Sequence, residues 1–163
     1  ARECIFAPPV SGARWKEALG EDTVILVRAH YEALQAMNLE GEERVRDVSA
    51  YPSLNELMIA SDILISDYSS VFFDYSILEK PMICFAYDYD QYQKERGMYF
   101  DIRRWLDWGA DQEAVLELIQ KLLDREFLEK SVEKTRAFKA RFVESCGHGT
   151  EAVLERIHKN FFY

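Results

Sequence analysis

The sequence predicts an α/β fold, a doubly wound parallel sheet with extra helices at its carboxyl terminus. Three observations carry the prediction. Short apolar runs rich in β-branched residues alternate with helical stretches through the first half of the chain. Those runs are continuous rather than polar on every second residue, as in strands covered on both faces. The remainder is helical, with apolar residues three and four apart.

The elements follow in order. Residues 3–7 form a short apolar strand stopped by Pro8 and Pro9, and residues 11–19 a helix ended by Gly20. Residues 23–28, Thr-Val-Ile-Leu-Val-Arg, are the strongest strand. Residues 31–37 make a helical turn before the acidic loop around Glu40-Gly41-Glu42-Glu43, and residues 44–48 a third strand. Ser53 caps a helix running to Ala60, with Glu56 completing a capping box. Residues 63–66 are a fourth strand, broken at Asp67-Tyr68 into a helix over 71–78 opened by Ser69 and Ser70. A fifth strand spans 81–86, and residues 87–108 read as an aromatic, charged, irregular loop. Helices over 111–124, 126–142 and 150–161 complete the chain, and Val115, Leu118, Ile119 and Leu122 form a core-facing stripe.

Composition narrows the function classes. The 163 residues, 48% hydrophobic and 13% aromatic, suit one domain with a proper core. A formal charge of −9 argues against a nucleic-acid surface and against general attraction to anionic lipid. No run approaches the ~20 apolar residues of a membrane-spanning helix. Cys4, Cys84 and Cys146 are scattered and lack metal-ligand spacing; Cys4 and Cys84 fall in strand runs, and such thiols suit a cytoplasmic chain. The chain starts without Met and enters a strand almost at once, as a piece of a longer protein would.

In a doubly wound fold, ligands bind beyond the carboxyl ends of the strands. That rim collects Arg28, Ala29 and His30, then Asp67, Tyr68, Ser69 and Ser70, then Tyr87 and Asp88. Serine hydroxyls and the free N–H groups of a first helical turn can hold a phosphate. His30 can donate a hydrogen bond or proton to developing phosphate charge, and Asp74, one turn past Ser70, can reach a ligand hydroxyl. Structural roles are equally open: serine caps, a satisfied histidine, Asp67 closing a turn, and Asp74 facing the helix dipole.

Several motifs together carry a family resemblance. They are Val27-Arg-Ala-His30, Ser61-Asp-Ile-Leu-Ile-Ser-Asp-Tyr-Ser-Ser70, Val71-Phe-Phe-Asp74, Lys80-Pro81, Tyr87-Asp88, Arg96-Gly-Met-Tyr-Phe-Asp101 and Gly147-His-Gly-Thr150. The chain resembles the carboxyl-terminal lobe of the CDP-glycerol glycerophosphotransferases, which build teichoic acid and related polyol-phosphate polymers. The resemblance implies a Rossmann-like lobe of a two-lobed GT-B transferase. Residues 1–163 would be the donor-binding lobe, and an amino-terminal acceptor lobe would lie outside this sequence. It implies attack by an acceptor hydroxyl on the β-phosphate of CDP-glycerol with release of CMP, with no cofactor and no metal. Carried onto matching positions, His30 assists phosphate charge, Ser69 and Ser70 cradle the diphosphate, Asp74 helps orient the donor, and Arg96 is a weaker candidate phosphate partner; Asp67 is a candidate substrate-binding residue from its place on the rim. The acceptor is a polyol-phosphate or glycan, and attachment to the inner face of the membrane falls to the missing lobe. One departure concerns the first loop, Ala7-Pro-Pro-Val-Ser11 with Arg14 beyond, where the family has a Pro-Thr-type turn with an arginine nearby.

Two other readings stay open. One is a GT-B lobe using a nucleotide sugar or CDP-ribitol. The other is a non-catalytic receiver-like domain, because Asp62-Ile-Leu-Ile-Ser-Asp67 resembles a phosphoacceptor strand. Receiver domains, however, need an acidic pair after the first strand and a lysine after the fifth. Here those places hold Ala7-Pro8-Pro9 and a lysine, Lys80, that precedes the strand.

Overall fold

The computed structural model describes residues 9–29, 44–144 and 146–161. The expected strand over 3–7, the turn over 31–37, Cys4 and His30 lie outside the described residues. The elements are α1 (Gly12–Ala18), β1 (Ile25–Val27), β2 (Val45–Asp47), α2 (Leu54–Ala60), β3 (Leu64–Ser66), α3 (Val71–Ser76), β4 (Met82–Phe85), α4 (Tyr89–Glu95), a 3₁₀ turn (Ile102–Arg104), β5 (Asp107–Gly109), α5 (Gln112–Lys121), α6 (Arg125–Phe142) and α7 (Gly149–Phe161).

All described pairings are parallel: β1 with β2, and β3-β4-β5 in that order. β4 explains the layering. Every residue of it is buried, and alternate side chains enter opposite cores. Met82 and Cys84 join Met58 of α2, Phe72 and Tyr75 of α3 and Phe138 of α6. Ile83 and Phe85 join Trp15 of α1, Leu19 at its carboxyl cap, and Val115 and Leu116 of α5, with Ile25 and Ile65 packed against them. β1-β2 and β3-β4-β5 are separate sheets, and helices cover both faces of the three-stranded one, the doubly wound arrangement expected.

Local chemistry accounts for most boundaries. Ser11, Ser53, Asp111 and Asp124 each accept an N–H of the helix they open. The capping box on α2 is only half made: Ser53 caps the Glu56 N–H, but the Glu56 carboxylate takes the Tyr51 hydroxyl at 2.6 Å. Lys80 closes the other end of α2, donating to the Ile59 and Ser61 carbonyls at 2.9 and 2.6 Å. That places the ammonium at the amino edge of the sheet, away from the rim where a receiver domain needs it.

The largest correction concerns residues 87–108. In place of an irregular loop they hold α4, the 3₁₀ turn and most of β5. Asp107-Trp108-Gly109 has no apolar run to announce a strand; it becomes one because Ile83, Cys84 and Phe85 offer it a ladder. Asp107 is buried and takes Lys134 of α6 at 2.5 Å, while its other carboxylate oxygen has no hydrogen-bond partner. Removing Lys134 strands a buried charge. Lys134→Met is expected to lower stability by about 1–2 kcal/mol, read as a shifted urea midpoint at unchanged slope.

Candidate functional site

β3 ends at Ser66, and the chain turns through 67–70 into α3. The two serines there behave differently. The Ser69 hydroxyl accepts from the Val71 N–H at 3.3 Å, a local bond two residues on. Ser70 occupies the N-cap position with helical backbone (φ −64°, ψ −14°), and its hydroxyl makes no capping bond. Only Ser69 therefore caps, a correction to the expectation that both do. The Ser70 hydroxyl is left beside the opening turn of α3, and exposed Asp74 stands one helical turn further on.

The neighbouring strand exit supplies the other wall. Tyr68 donates its hydroxyl to Asp88 at 3.0 Å, and its ring lies 4.2 Å from Tyr92 and 5.9 Å from Tyr89. Burial first, then the bond to Asp88, hold that hydroxyl above the ordinary tyrosine range, so it stays a donor. Asp67 is exposed as a residue, yet its carboxyl is raised above the ordinary range, by lost hydration and then by the charge of Asp88. Burial pushes the Cys84 thiol up to about 12, and its Sγ faces the Asp67 carbonyl at 3.6 Å. This cysteine packs and does not react.

A cation that the sequence reading missed sits behind this wall. Arg103 lies 3.4 Å from the centre of the Tyr89 ring and 5.2 Å from that of Trp108. Asp101 grips it with both oxygens at 3.0 Å, and the Arg103 hydrogen bond is the main reason that carboxyl falls below its ordinary range. An Arg with an Asp two residues earlier is the only signal for it in the sequence. Arg96, the expected phosphate partner, caps the carboxyl end of α4 and is exposed. A seven-residue helix, about 10 Å long, separates it from the strand exits.

At the exit of β1, Arg28 donates to the Tyr51 carbonyl at 2.6 Å and the Ala29 N–H to the Ser49 hydroxyl at 3.1 Å. These bonds fix the chain immediately before His30. Arg14 is forked onto Glu113, with its closest contact at 2.6 Å. The two border an open concavity of about 440 Å³ between α1 and α5, lined also by Asp111 and Glu117. Three carboxylates and an engaged arginine make that hollow a poor seat for a phosphate, and none of the expected site residues lines it.

Comparison with known proteins gives the site its context. The family model described as CDP-glycerol:poly(glycerophosphate) glycerophosphotransferase matches residues 2–159. The chain is 40% identical over 146 residues to a teichoic acid poly(glycerol phosphate) polymerase of Staphylococcus epidermidis, covering 87% of this chain and 20% of that protein. A teichoic acid glycerol-phosphate transferase of Staphylococcus aureus is 33% identical over 148 residues, covering 88% of this chain and 37% of that protein. The solved structure of a variant of the wall teichoic acid polymerase TagF soaked with CDPG superposes with a TM-score of 0.74 at 37% identity, over 91% of this chain and 37% of that one. The chain thus spans between a fifth and about two fifths of the relatives it matches.

Proposed function

The chain belongs to the CDP-glycerol:poly(glycerophosphate) glycerophosphotransferase family, and from that premise we propose that it is the donor-binding lobe of a glycerophosphotransferase. In this reading the full protein transfers glycerol phosphate from CDP-glycerol to a hydroxyl of a growing polyol-phosphate polymer and releases CMP. The observation that carries the reading is the turn over 67–70, where Ser70 stands at a helix start with its hydroxyl uncommitted.

Each residue takes a role its chemistry allows. Ser69 and Ser70 donate their hydroxyl protons to the diphosphate oxygens. Asp74 and Asp67 are acceptors and suit hydroxyls of the donor, since a carboxylate would repel its phosphates. His30 follows the pinned Arg28-Ala29 pair and supports charge that develops on the attacked β-phosphate. Arg96, at the distal end of α4, meets the donor only through its outer end. The acceptor and the general base that activates it belong to the amino-terminal lobe of the longer protein.

No helix among the described residues is long and apolar enough to cross a membrane. Work at the cytoplasmic face of a membrane, on a polymer held there, would then depend on the rest of the protein.

Calorimetry of the full-length protein against CDP-glycerol, CDP-ribitol and a UDP-sugar tests the proposal. Binding of CDP-glycerol about tenfold or more tighter than the UDP-sugar is expected, a difference of about 1.4 kcal/mol. Preference for CDP-ribitol would change the polyol and keep the lobe. Absence of binding to either CDP-linked donor at millimolar concentration would refute it.

A further inference from the structure

We propose that Tyr68 is the positioning residue of the 67–70 turn, tied across the sheet to Asp88 and seated on the rings of α4. The proposal rests on the reading of that turn as the seat of the donor diphosphate.

The tie joins residues far apart in sequence. β3 and β4 are parallel neighbours, so Tyr68 and Asp88 leave the sheet side by side, and hydroxyl and carboxylate meet at 3.0 Å. Asp88 sits at the N-cap of α4 but makes no capping bond to that helix. Aspartate at an N-cap ordinarily accepts a helix N–H, worth about 1 kcal/mol. Here the carboxylate turns away from its own helix to hold Tyr68. A local rule broken with a specific alternative partner is the pattern expected at functional sites.

The brace continues behind the tie. Tyr92 and Tyr89 support the Tyr68 ring, Arg103 lies on Tyr89, and Asp101 grips Arg103. Its far end is anchored by the neighbouring buried Ile102. Tyr68 is bonded directly to Ser69, whose hydroxyl sets the Val71 N–H, so a shift of the ring moves the turn that carries Ser70. The aromatic segment after β4 thereby acts as a strut for the phosphate turn.

Two measurements on the full-length protein test this. In steady-state kinetics, Tyr68→Phe keeps the ring and loses the hydroxyl, and it should raise KM for CDP-glycerol about tenfold with kcat within about twofold. Asp88→Ala should match it, Asp88→Asn, which keeps an acceptor oxygen, should recover most of the loss, and the double variant Tyr68→Phe/Asp88→Ala should be no worse than either single change. An unchanged KM in Tyr68→Phe, or additive single effects, would overturn the proposal. In hydrogen exchange, Tyr68→Phe should speed the amides of residues 69–72 and leave Phe138 in α6 unchanged. Equal exchange at 69–72 would overturn the brace whatever the donor is, whereas a wild-type protein that ignores CDP-glycerol would overturn only the donor reading.

Discussion

Phe138→Ala is expected to destabilise the protein by about 3–5 kcal/mol. The side chain has no exposed surface, and its ring lies 4.9 Å from Phe142, 5.2 Å from Phe73 and 6.3 Å from Phe100. It is the point at which the long helix α6 meets α3, the segment before β5 and the Met82-Cys84 face of the central strand. Truncation to Ala removes apolar burial worth about 2–3 kcal/mol and the dispersion contacts of several rings. The cavity left behind cannot collapse cheaply, because its walls come from a helix and a sheet fixed by other bonds. Glu79 takes Arg136 and Lys139 of α6 at 2.8 and 2.9 Å, and Thr135 donates to the Lys80 carbonyl at 2.9 Å. For a domain of this size the loss corresponds to a fall in Tm on the order of 10 °C. Leu123→Ala is the matched control: that side chain is 89% exposed and should change stability by less than about 0.5 kcal/mol. Melting of Phe138→Ala within two or so degrees of wild type, about 0.5–1 kcal/mol, would show that α6 is not seated on this core.

Elements whose causes are local were legible in the sequence. The start of α2 follows from Ser53, α5 from its stripe of Val115, Leu118, Ile119 and Leu122, and β4 from Met82-Ile-Cys-Phe85. β5 was hidden because its cause is tertiary: three residues with a buried carboxylate and a glycine become a strand only beside β4. Gly109 marks the same constraint, since a Cβ there would lie 2.9 Å from the Val115 backbone nitrogen. The glycine lets α5 approach the strand, and a lone Gly before a helix-capping Asp does not announce that purpose.

At the rim the sequence names candidates, and their geometry comes from the fold. Adjacent serines cannot be told apart by sequence, yet only Ser69 bonds the helix. Arg96 and Arg103 differ in reach because one ends α4 while the other is turned inward by Asp101. The Tyr68–Asp88 bond spans twenty positions and depends on the register of β3 against β4. Such pairings follow from which strands are neighbours, and no local pattern encodes that.

The inequality of the two serines yields the sharpest functional expectation. Under the proposed donor role, Ser70→Ala in the full-length protein should lower kcat/KM for CDP-glycerol about 100-fold, a loss of about 2.7 kcal/mol in transition-state stabilisation. Its hydroxyl makes no capping bond, so the same change should alter Tm by no more than ordinary surface substitutions do, within about 0.5 kcal/mol. Ser69→Ala should behave otherwise, because it also deletes the bond to the Val71 N–H and should cost about 0.5–1 kcal/mol of stability beside its effect on activity. Ser70→Thr keeps a hydroxyl and should retain most of the activity, whereas Ser70→Gly should fail like alanine. A stability loss in Ser70→Ala equal to that in Ser69→Ala would mean that the hydroxyl belongs to the helix after all. Full activity in Ser70→Ala would remove the turn from the donor site, because no other described group there combines a helix start with an uncommitted hydroxyl.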